Sequence, residues 1–344
     1  MATPSADSIH ARLTALLAAA RGRRVVVLGD LIADEYVSGR IARVSREAPV
    51  LILEYDSTDI RPGGAGNAAH NVAALGGAAT LVALAGRDEP GRRVLRAFPR
   101  GVDLRRVVRP AGFRTPVKTR ILAGGIHSAK QQVVRIDRHA GEPIAEAWRA
   151  AWLRSAARAL RGADAVLVSD YGSGLLSPAI VAGLMRPLLA GRRRVPVLVD
   201  SRYELLRYRG LTACTPNESE VEAALGTTIG DNPRALERAG RAILARTRMD
   251  AVLVTRGSRG MALFEPGVPT VHVPIHGSDE IADVTGAGDT VMATLTLALA
   301  AGASMADAAR LANYAGGLVV MKRGTATVSA RELGRAVAAD AARR

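Results

Sequence analysis

Short apolar runs of strand length alternate along this chain with segments of helical periodicity, and no other feature constrains the fold as strongly. The run Arg24 to Gly29 (RVVVLG) stops at a Gly-Asp turn, as a buried strand does. Helical patterns such as Ala145 to Leu160 and Pro178 to Leu189 separate most of the runs. The further runs are Ala79 to Ala85, Ala165 to Ser169, Pro196 to Asp200, Thr212 to Thr215 and Ala251 to Thr255. This order predicts an α/β fold, with a mainly parallel, doubly wound sheet, helices on both faces and ligands beyond the carboxyl ends of the strands.

Two stretches interrupt that order. Val37 to Asp56 and Pro116 to Asp137 contain short, partly alternating segments typical of antiparallel strands. They predict a small β-sheet that projects from the main sheet and covers the site as a lid. The sequence has no internal repeat and no low-complexity linker, so residues 1–344 are predicted to form a single domain.

Composition excludes several classes of protein. Hydrophobic residues make up 48% of the 344, yet no run reaches the roughly 18 to 20 apolar residues of a membrane span, and the first twenty residues lack a signal-peptide core. We therefore predict a cytoplasmic protein without a membrane partner. The single cysteine, Cys214, and six scattered histidines argue against a disulfide and a structural zinc site.

The net charge of +15 raises the question of nucleic-acid binding. The arginines are dispersed along the chain, however, and only 3% of residues are aromatic, which leaves little to stack on bases. No nucleic-acid partner is predicted. Small anionic substrates such as nucleotides and sugar phosphates account for a positive surface equally well.

The segment Asp283-Val-Thr-Gly-Ala-Gly-Asp289 carries the most chemical information. It precedes Thr290 to Ala301, a small-residue apolar run of helical length. Backbone N–H groups of Gly286, Ala287 and Gly288 at a helix start predict an anion hole, which the helix dipole reinforces. The carboxylate of Asp289 would then accept a proton from an attacking hydroxyl. In the alternative, Asp289 only caps the helix and the glycines only form a turn.

A second glycine-rich segment, Arg61-Pro-Gly-Gly-Ala-Gly-Asn67, precedes a predicted helix from Ala68 to Leu75. Gly63 and Gly64 would let backbone lie against a polyhydroxylated ligand, and Asn67 offers a donor and acceptors. These features predict sugar binding. A dinucleotide fingerprint is excluded, because the spacing differs from Gly-x-Gly-x-x-Gly and no acidic strand end follows about twenty residues later.

Two carboxylates, Asp30 and Asp34, follow the first predicted strand at its carboxyl end. There they could hold paired hydroxyls of the same ligand. Either could instead be a turn residue.

In Pro216-Asn217-Glu218-Ser219-Glu220 a strand ends and a helix begins, with Asn217 and Glu220 three residues apart on one face. Oxygen ligands so placed suit Mg²⁺ held through water, although a plain N-cap with an exposed glutamate is the alternative. The segment Thr255-Arg-Gly-Ser-Arg-Gly260 lies between two predicted strands. It is interpreted as a turn against nucleotide phosphates, and a bare hairpin turn has the same appearance.

Together and in this order, these four segments resemble the ribokinase/PfkB family of carbohydrate kinases, from about Val25 to Leu333. The resemblance implies a ribokinase-like fold, ATP and Mg²⁺ as cofactors, and a homodimer joined through the lid. It also implies K⁺, as a monovalent cation beside Asp283. By the same resemblance Gly63, Gly64 and Asn67 bind the sugar, Asn217 and Glu220 organise hydrated Mg²⁺, and Gly286 to Asp289 supply the anion hole and the base. The residues assigned to the nucleotide are Asn217, Glu220, Thr255, Gly257, Ser258, Gly260 and Asn313.

Within that family, several segments resemble kinases that phosphorylate O1 of D-glycero-D-manno-heptose 7-phosphate. That reaction leads to ADP-heptose for lipopolysaccharide. The segments are Ser45 to Val50 (SREAPV), Arg61 to Gly76, Gln131 to Asp137 (QQVVRID), Ser169 to Gly172 (SDYG) and Gly324 to Val328 (GTATV). Many such kinases continue into a nucleotidyltransferase domain, whereas this chain ends at Arg344 and is expected to be the kinase alone.

The chain departs from this pattern at two places. Ser173 stands where a lysine is expected after Asp-Tyr-Gly, and Asp200-Ser-Arg-Tyr203 stands where Asp-Pro-Lys-Gly is expected. The cations predicted to hold the phosphate of the substrate are Lys118, Arg120 and Arg135, with Arg202 as a fourth. Three alternatives stay open: a kinase for another sugar or sugar phosphate, a nucleoside kinase, and a non-catalytic sugar-sensing or nucleic-acid-binding protein.

Overall fold

The main sheet has nine strands and is predominantly parallel. The computed structural model describes residues 6–125, 130–139, 143–191, 194–277 and 283–342. In the described residues the strands of this sheet are β1 (Arg24–Gly29), β4 (Ala78–Val82), β5 (Val102–Asp103), β8 (Ala165–Asp170), β9 (Val197–Ser201), β10 (Ala213–Cys214), β11 (Ala251–Thr255), β12 (Met261–Phe264) and β13 (Val271–Val273). Their order is β13-β12-β11-β10-β9-β8-β1-β4-β5. The β11–β12 and β12–β13 pairs are antiparallel, and the other strand pairs that the described residues form in this sheet are parallel.

Helices cover both faces of this sheet. In the described residues they are α1 (Ala6–Ala19), α2 (Ala65–Ala74), α3 (Glu89–Arg96), α4 (Glu146–Ala159), α5 (Pro178–Leu189), α6 (Glu218–Leu225), α7 (Pro233–Thr247), α8 (Ala287–Ala300), α9 (Met305–Val319) and α10 (Ala330–Ala341). None of them is long and apolar enough to cross a bilayer.

Alternation along β1 shows why both faces must be covered. Val25 and Val27 belong to one hydrophobic cluster, with residues of α2, α8 and α9, while Val26 and Leu28 belong to another, with residues of α4, α5 and α7. Because successive side chains point to opposite faces, a strand that is apolar throughout needs helices on each side. The prediction of a doubly wound, mainly parallel sheet is confirmed.

Two helices begin earlier than their sequence patterns predict. α2 begins at Ala65, where Ala68 was expected, and α8 begins at Ala287, where Thr290 was expected. In both cases the helix follows a glycine with positive φ, Gly64 at 57° and Gly286 at 76°, a region that costs glycine little. Asp289 therefore lies within the first turn of α8 and does not precede it.

The predicted lid is a separate four-stranded sheet. Its strands are β2 (Leu31–Val44), β3 (Leu51–Gly64), β6 (Val117–Gly124) and β7 (Gln131–Arg138), in the order β3-β2-β6-β7. The β2–β3 and β6–β7 pairs are antiparallel, as predicted. The two hairpins join through β2 and β6, which pair in parallel, so the prediction of antiparallel strands was wrong for this pair. The first hairpin is also longer than Val37 to Asp56. Residues 126–129 of the second stretch lie outside the described residues.

Registers in the lid decide which side chains face the main sheet. One row joins Asp34, Lys118 and Asp137, and the row two residues further along joins Tyr36, Arg120 and Arg135. Residues two apart share a face, so both rows lie on the same side of the lid. That side is charged.

Candidate active site

Three cavities meet where the lid approaches the carboxyl edge of the main sheet. The first, of about 370 Å³, lies against the sheet and is called the sheet-edge cavity; it is lined by Asp200, Thr255, Gly257, Gly288 and Asn313 among others. The second, of about 470 Å³, is called the lid cavity and is lined by Lys118, Arg135, Ser173, Arg202 and Tyr203 among others. A junction cavity of about 40 Å³ is lined by Asp34, Lys118 and Asp289 among others. Tyr171 lines all three.

The start of α8 forms one wall of the sheet-edge cavity. Gly286, Ala287, Gly288 and Asp289 all line it. A Cβ at Gly288 would meet no protein atom within 4 Å, so backbone is open to the cavity at this point. The Ala287 N–H donates to Val284 O at 3.2 Å, and a bound anion would compete with that contact. The sequence brings a helix N-terminus and an exposed backbone to one place, which suits phosphate.

Asp289 is buried, with 4% exposure, and both carboxylate oxygens accept hydrogen bonds. Oδ2 accepts from Asn67 Nδ2 at 2.8 Å, and Oδ1 accepts from the Tyr171 hydroxyl at 3.1 Å. Burial raises the pKa of Asp289 to about 7, against the two hydrogen bonds, which lower it. A carboxylate with a pKa near neutrality suits proton acceptance at physiological pH.

Asn67 lies against Asp289 because α2 and α8 pack together. Its Nδ2 also lies 3.4 Å from Gly286 O, and a Cβ at Gly286 would come within 2.4 Å of that nitrogen. Only glycine at position 286 allows the approach. The sequence predicted Asn67 as a sugar ligand, whereas in the structure its amide donates to the candidate base.

Asp34 and Arg120 form a buried ion pair. Their atoms Oδ1 and Nη1 are 2.6 Å apart, and their side chains are 6% and 9% exposed. A Cβ at Gly63 would come within 2.4 Å of Asp34 Oδ2, so the glycine leaves room for the carboxylate. Burial raises the pKa of Asp34, while Arg120 lowers it. Because its charge is already paired, Arg120 is poorly suited to the substrate phosphate that the sequence analysis assigned to it.

Lys118 and Arg135 both line the lid cavity. The Lys118 ammonium lies 4.8 Å from the ring centroid of Tyr171, within cation–π range, and burial lowers its pKa. Arg135 is exposed and donates from Nε to Asp137 at 2.9 Å. Arg202 contributes to the walls of both the lid cavity and the sheet-edge cavity. Three of the four predicted cations therefore surround one cavity.

Asp30 directly follows β1, and its side chain turns towards the loop after β8. Its carboxylate accepts from the Tyr171 N–H at 2.9 Å and from the Ser173 hydroxyl, and burial raises its pKa to about 6. The side chain lines the lid cavity. Ser173, found where a lysine was expected, thus fastens this loop to the first strand.

Asn217 and Glu220 form a reciprocal capping box at the start of α6. Asn217 Oδ1 accepts from the Glu220 N–H, and Glu220 Oε2 accepts from the Asn217 N–H, both at 2.9 Å. The two residues therefore do cap α6, as the alternative interpretation of the sequence expected. Both also line the sheet-edge cavity.

Asp200 lines the same cavity as Glu220. Burial, and then repulsion from Glu220 and Asp289, raises the pKa of Asp200 well above its usual range. A divalent cation would relieve that repulsion. In the described residues no three His, Cys, Asp or Glu side chains converge on one point, so such an ion would be held mainly through water and phosphate oxygens.

The Thr255–Gly260 segment is both a hairpin turn and a cavity wall. It joins antiparallel β11 and β12 through a 3₁₀ turn, and Thr255, Gly257 and Gly260 line the sheet-edge cavity while Ser258 is exposed. Asn313 on α9 lines the same cavity and donates to Pro274 O at 2.8 Å. Met261, Ile275, Val291 and Val320 give this cavity its apolar surface. An apolar slot beside exposed backbone fits a nucleotide.

Asp283 fastens the segment before α8 to the 324–328 segment. Its carboxylate accepts from the Thr285 N–H at 2.9 Å and the Gly324 N–H at 2.8 Å. Burial favours the protonated acid, but these bonds outweigh it and lower the pKa of Asp283. It stays ionised, which a neighbouring monovalent cation requires.

Sequence reasoning missed three residues of this site. Tyr171, Asn71 and Asp200 lay inside quoted segments without a role of their own. The position of Asp200 at the end of a buried strand was the available signal, since ligands collect at such ends. Nothing in the sequence indicates that the Tyr171 hydroxyl reaches Asp289.

Comparison with known proteins agrees with this geometry. Residues 23–332 match the pfkB family of carbohydrate kinases. The chain belongs to that family, and it is an ATP-dependent sugar kinase. Members use a divalent metal with ATP.

Curated relatives share the name "Bifunctional protein HldE". The protein from Trichlorobacter lovleyi is 44% identical over 322 residues, which cover 92% of this chain and 63% of the relative. The protein from Caulobacter vibrioides is 43% identical over 316 residues, covering 91% and 63%. The chain therefore spans about 63% of the length of these relatives.

Solved structures share the fold at lower identity. Phosphofructokinase-2 from Escherichia coli, in complex with substrates and products, has a TM-score of 0.72 at 20% identity and covers 92% of this chain and 99% of its own. Ribokinase from Arabidopsis thaliana, with ribose and ATP, has a TM-score of 0.67 at 20% identity, with the same coverage. The predicted ribokinase-like fold is confirmed.

Proposed function

We propose that this chain is a single kinase domain that transfers the γ-phosphoryl group of ATP to O1 of D-glycero-D-manno-heptose 7-phosphate, with Asp289 as the general base. The observation that carries the reaction is Asp289 itself, a buried carboxylate of pKa about 7 where the sheet-edge and junction cavities meet. The acceptor rests on the resemblance to heptose 7-phosphate kinases and on the charge of the lid cavity. The product would serve ADP-heptose synthesis.

In the proposed step Asp289 takes the proton of the acceptor hydroxyl. The freed oxygen forms a bond to the γ-phosphorus, the bond from that phosphorus to its bridging oxygen breaks, and ADP leaves. The backbone at Gly288 and the dipole of α8 face the charge that develops on the phosphoryl oxygens. Mg²⁺, which we assign to water-mediated contacts with Asn217 and Glu220, supplies neutralisation of the phosphate charge. K⁺ beside Asp283 is part of the same proposal.

The lid cavity is the proposed site for the far end of the acceptor. Lys118, Arg135 and Arg202 line it, and a sugar that already carries a phosphate needs cations away from ATP. Arginine donates two charge-assisted hydrogen bonds to a phosphate, each contributing about 1.5 to 3 kcal/mol. Asp34 and Gly64 line the junction cavity together with Asp289, and Asp30 lines the lid cavity. These three residues and Gly63 are proposed to contact the sugar.

The test is ATP consumption by the purified protein across a panel of acceptors. The panel contains heptose 7-phosphate, the unphosphorylated heptose, other sugar phosphates and a nucleoside. We expect kcat/KM for the 7-phosphate to exceed that for the free sugar by roughly tenfold or more, since a phosphate contact contributes at least 1.4 kcal/mol. Equal efficiency with both would show that the acceptor need not carry a phosphate, and no turnover with the 7-phosphate would contradict the proposed acceptor.

We further propose a homodimer joined through the lid. Tyr55, Val134 and Ile136 on lid strands are 67%, 48% and 48% exposed. Exposed apolar side chains on a sheet with open edges favour coverage by a second copy. Sedimentation at micromolar concentration is expected to give the mass of two chains. A Val134→Lys, Ile136→Lys variant should give one, and a monomeric wild type would contradict the proposal.

A further inference from the structure

Asn71 is fully buried one helical turn after Asn67 on α2. Its carboxamide contacts three segments: α2 itself, Thr290 in the first turn of α8, and the 324–328 segment. No role follows for it from the reaction described above. In the part of the chain that the structure describes, its amide is linked to the Asp289 carboxylate through the amide of Asn67.

Backbone groups fix the orientation of the Asn71 amide. Nδ2 lies 3.1 Å from Asn67 O and 3.4 Å from Ala326 O, and a backbone carbonyl can only accept. On the other side Oδ1 accepts from the Val328 N–H at 3.4 Å, and a backbone N–H can only donate. A flipped amide would face two carbonyls with its oxygen and an N–H with its nitrogen. Asn71 therefore has one orientation.

That orientation in turn selects the orientation of Asn67. Asn71 Nδ2 lies 3.1 Å from Asn67 Oδ1, so the oxygen of Asn67 is turned towards Asn71 and its nitrogen towards Asp289 Oδ2, 2.8 Å away. The contact of the same nitrogen with Gly286 O favours this arrangement too, at the longer distance of 3.4 Å. In the reverse arrangement an amide oxygen would face the carboxylate.

We propose that Asn71 is a positioning residue for the base, which holds the Asn67 amide so that Asp289 always receives a donor. This inference rests on the proposed role of Asp289. A hydrogen bond to the ionised form stabilises that form, so Asp289 without its donor would hold its proton to higher pH. Activity that requires ionised Asp289 would then begin at higher pH.

The test compares pH profiles of kcat/KM for Asn71→Leu and the wild type. Leucine has a similar volume, adds no charge and cannot hold the Asn67 amide. We expect the acid limb to move up by about one pH unit, with KM for ATP changed by less than about twofold. Asn71→Ser is the second variant, for use if leucine prevents folding, and the same direction is expected.

Thr290→Val is the matched control. It removes the hydroxyl that bonds to Asn71 Oδ1 at 3.1 Å but leaves the Asn71–Asn67 contact intact. Its acid limb should stay in place. An equal shift in Thr290→Val would mean general loosening of the helix contact, and would overturn the positioning role.

Asp289→Asn separates failure of this inference from failure of the proposed function. If it abolishes turnover while the acid limb of the folded Asn71 variants is unmoved, the positioning role is overturned and the base assignment stands. If it turns over like the wild type, the base assignment fails, and the inference fails with it.

Discussion

The two large cavities of the site differ in what lines them: backbone in the sheet-edge cavity and charged side chains in the lid cavity. Gly257, Gly260 and Gly288 bring backbone to the wall of the sheet-edge cavity, at the turn between β11 and β12 and at a helix start. The lid cavity is walled by long charged side chains, among them Lys118 and Arg135. A wall of backbone depends on local motifs that can be kept while other positions change. A wall of side chains changes with each substitution, so the acceptor side can be altered without rebuilding the nucleotide side.

The base lies where the two sides meet, and its loss should have the largest effect. We predict that Asp289→Asn lowers kcat by roughly a hundredfold or more, the usual contribution of a general base, while ATP affinity stays nearly unchanged. The reason is that asparagine keeps the shape but cannot take the proton. Steady-state kinetics and nucleotide titration measure the two quantities. Wild-type turnover would show that Asp289 is not the base.

Charge removal in the lid cavity should affect only the acceptor. We predict that Lys118→Ala or Arg135→Ala raises KM for the sugar 7-phosphate by roughly tenfold, while KM for ATP changes little. Arg40→Ala is the matched control, because Arg40 lies on a lid strand but is not among the described residues that line the three cavities. A rise in KM for ATP of the same size would contradict the claim that the lid cavity binds the acceptor separately from ATP.

Arg120 is unsuitable for that experiment. Its removal would leave Asp34 as a buried unpaired charge, which costs about 3 to 5 kcal/mol of stability. A loss of activity in Arg120→Ala would therefore report on folding as much as on substrate.

The sheet-edge cavity could be predicted from the sequence more fully than the lid cavity, because its walls are local backbone motifs. Most strands, the two-faced sheet and the cavity-lining segments beginning at Thr255 and Asp283 were predictable, because local periodicity and glycine-rich motifs determine them. The lid was predicted as a small sheet, but the parallel pairing of β2 with β6 joins residues about eighty positions apart. No local pattern specifies such a pairing.

The contacts that side chains make with other strands and helices could not be predicted from the sequence either. Arg120 was predicted to hold phosphate, yet register places it opposite Tyr36 and its side chain reaches Asp34. Asn67 was predicted to bind sugar, but the packing of α2 on α8 turns its amide to Asp289. The partners of Arg120 and Asn67 within the protein could not be predicted, since they depend on three-dimensional packing, and the roles of the two residues towards phosphate and sugar stay predictions.

A third prediction tests the metal on the nucleotide side. Glu220→Gln should raise the Mg²⁺ concentration needed for half-maximal rate by about threefold to tenfold, and should raise KM for the sugar less. Glutamine can still accept from the Asn217 N–H, so the capping box is kept and only the charge is lost. Thermal unfolding without metal should accordingly stay close to wild type. An unchanged Mg²⁺ titration would leave Glu220 as a cap alone.

The smallest effect is expected at Tyr171, which lines both cavities and donates to Asp289 Oδ1 at 3.1 Å. In the wild type the pKa of Asp289 is about 7, so kcat/KM should rise with pH through that value as the base ionises. Tyr171→Phe removes a donor that stabilises the ionised form, so the pKa of Asp289 rises and the acid limb should move to higher pH by roughly half a unit. Above pH 8 the two enzymes should differ little, because Asp289 is ionised in both. The ring remains, so the contact with Lys118 and KM for the sugar phosphate should be preserved. A shift to lower pH, or an equal loss of rate at all pH values, would mean that Tyr171 acts on the acceptor and not on the base.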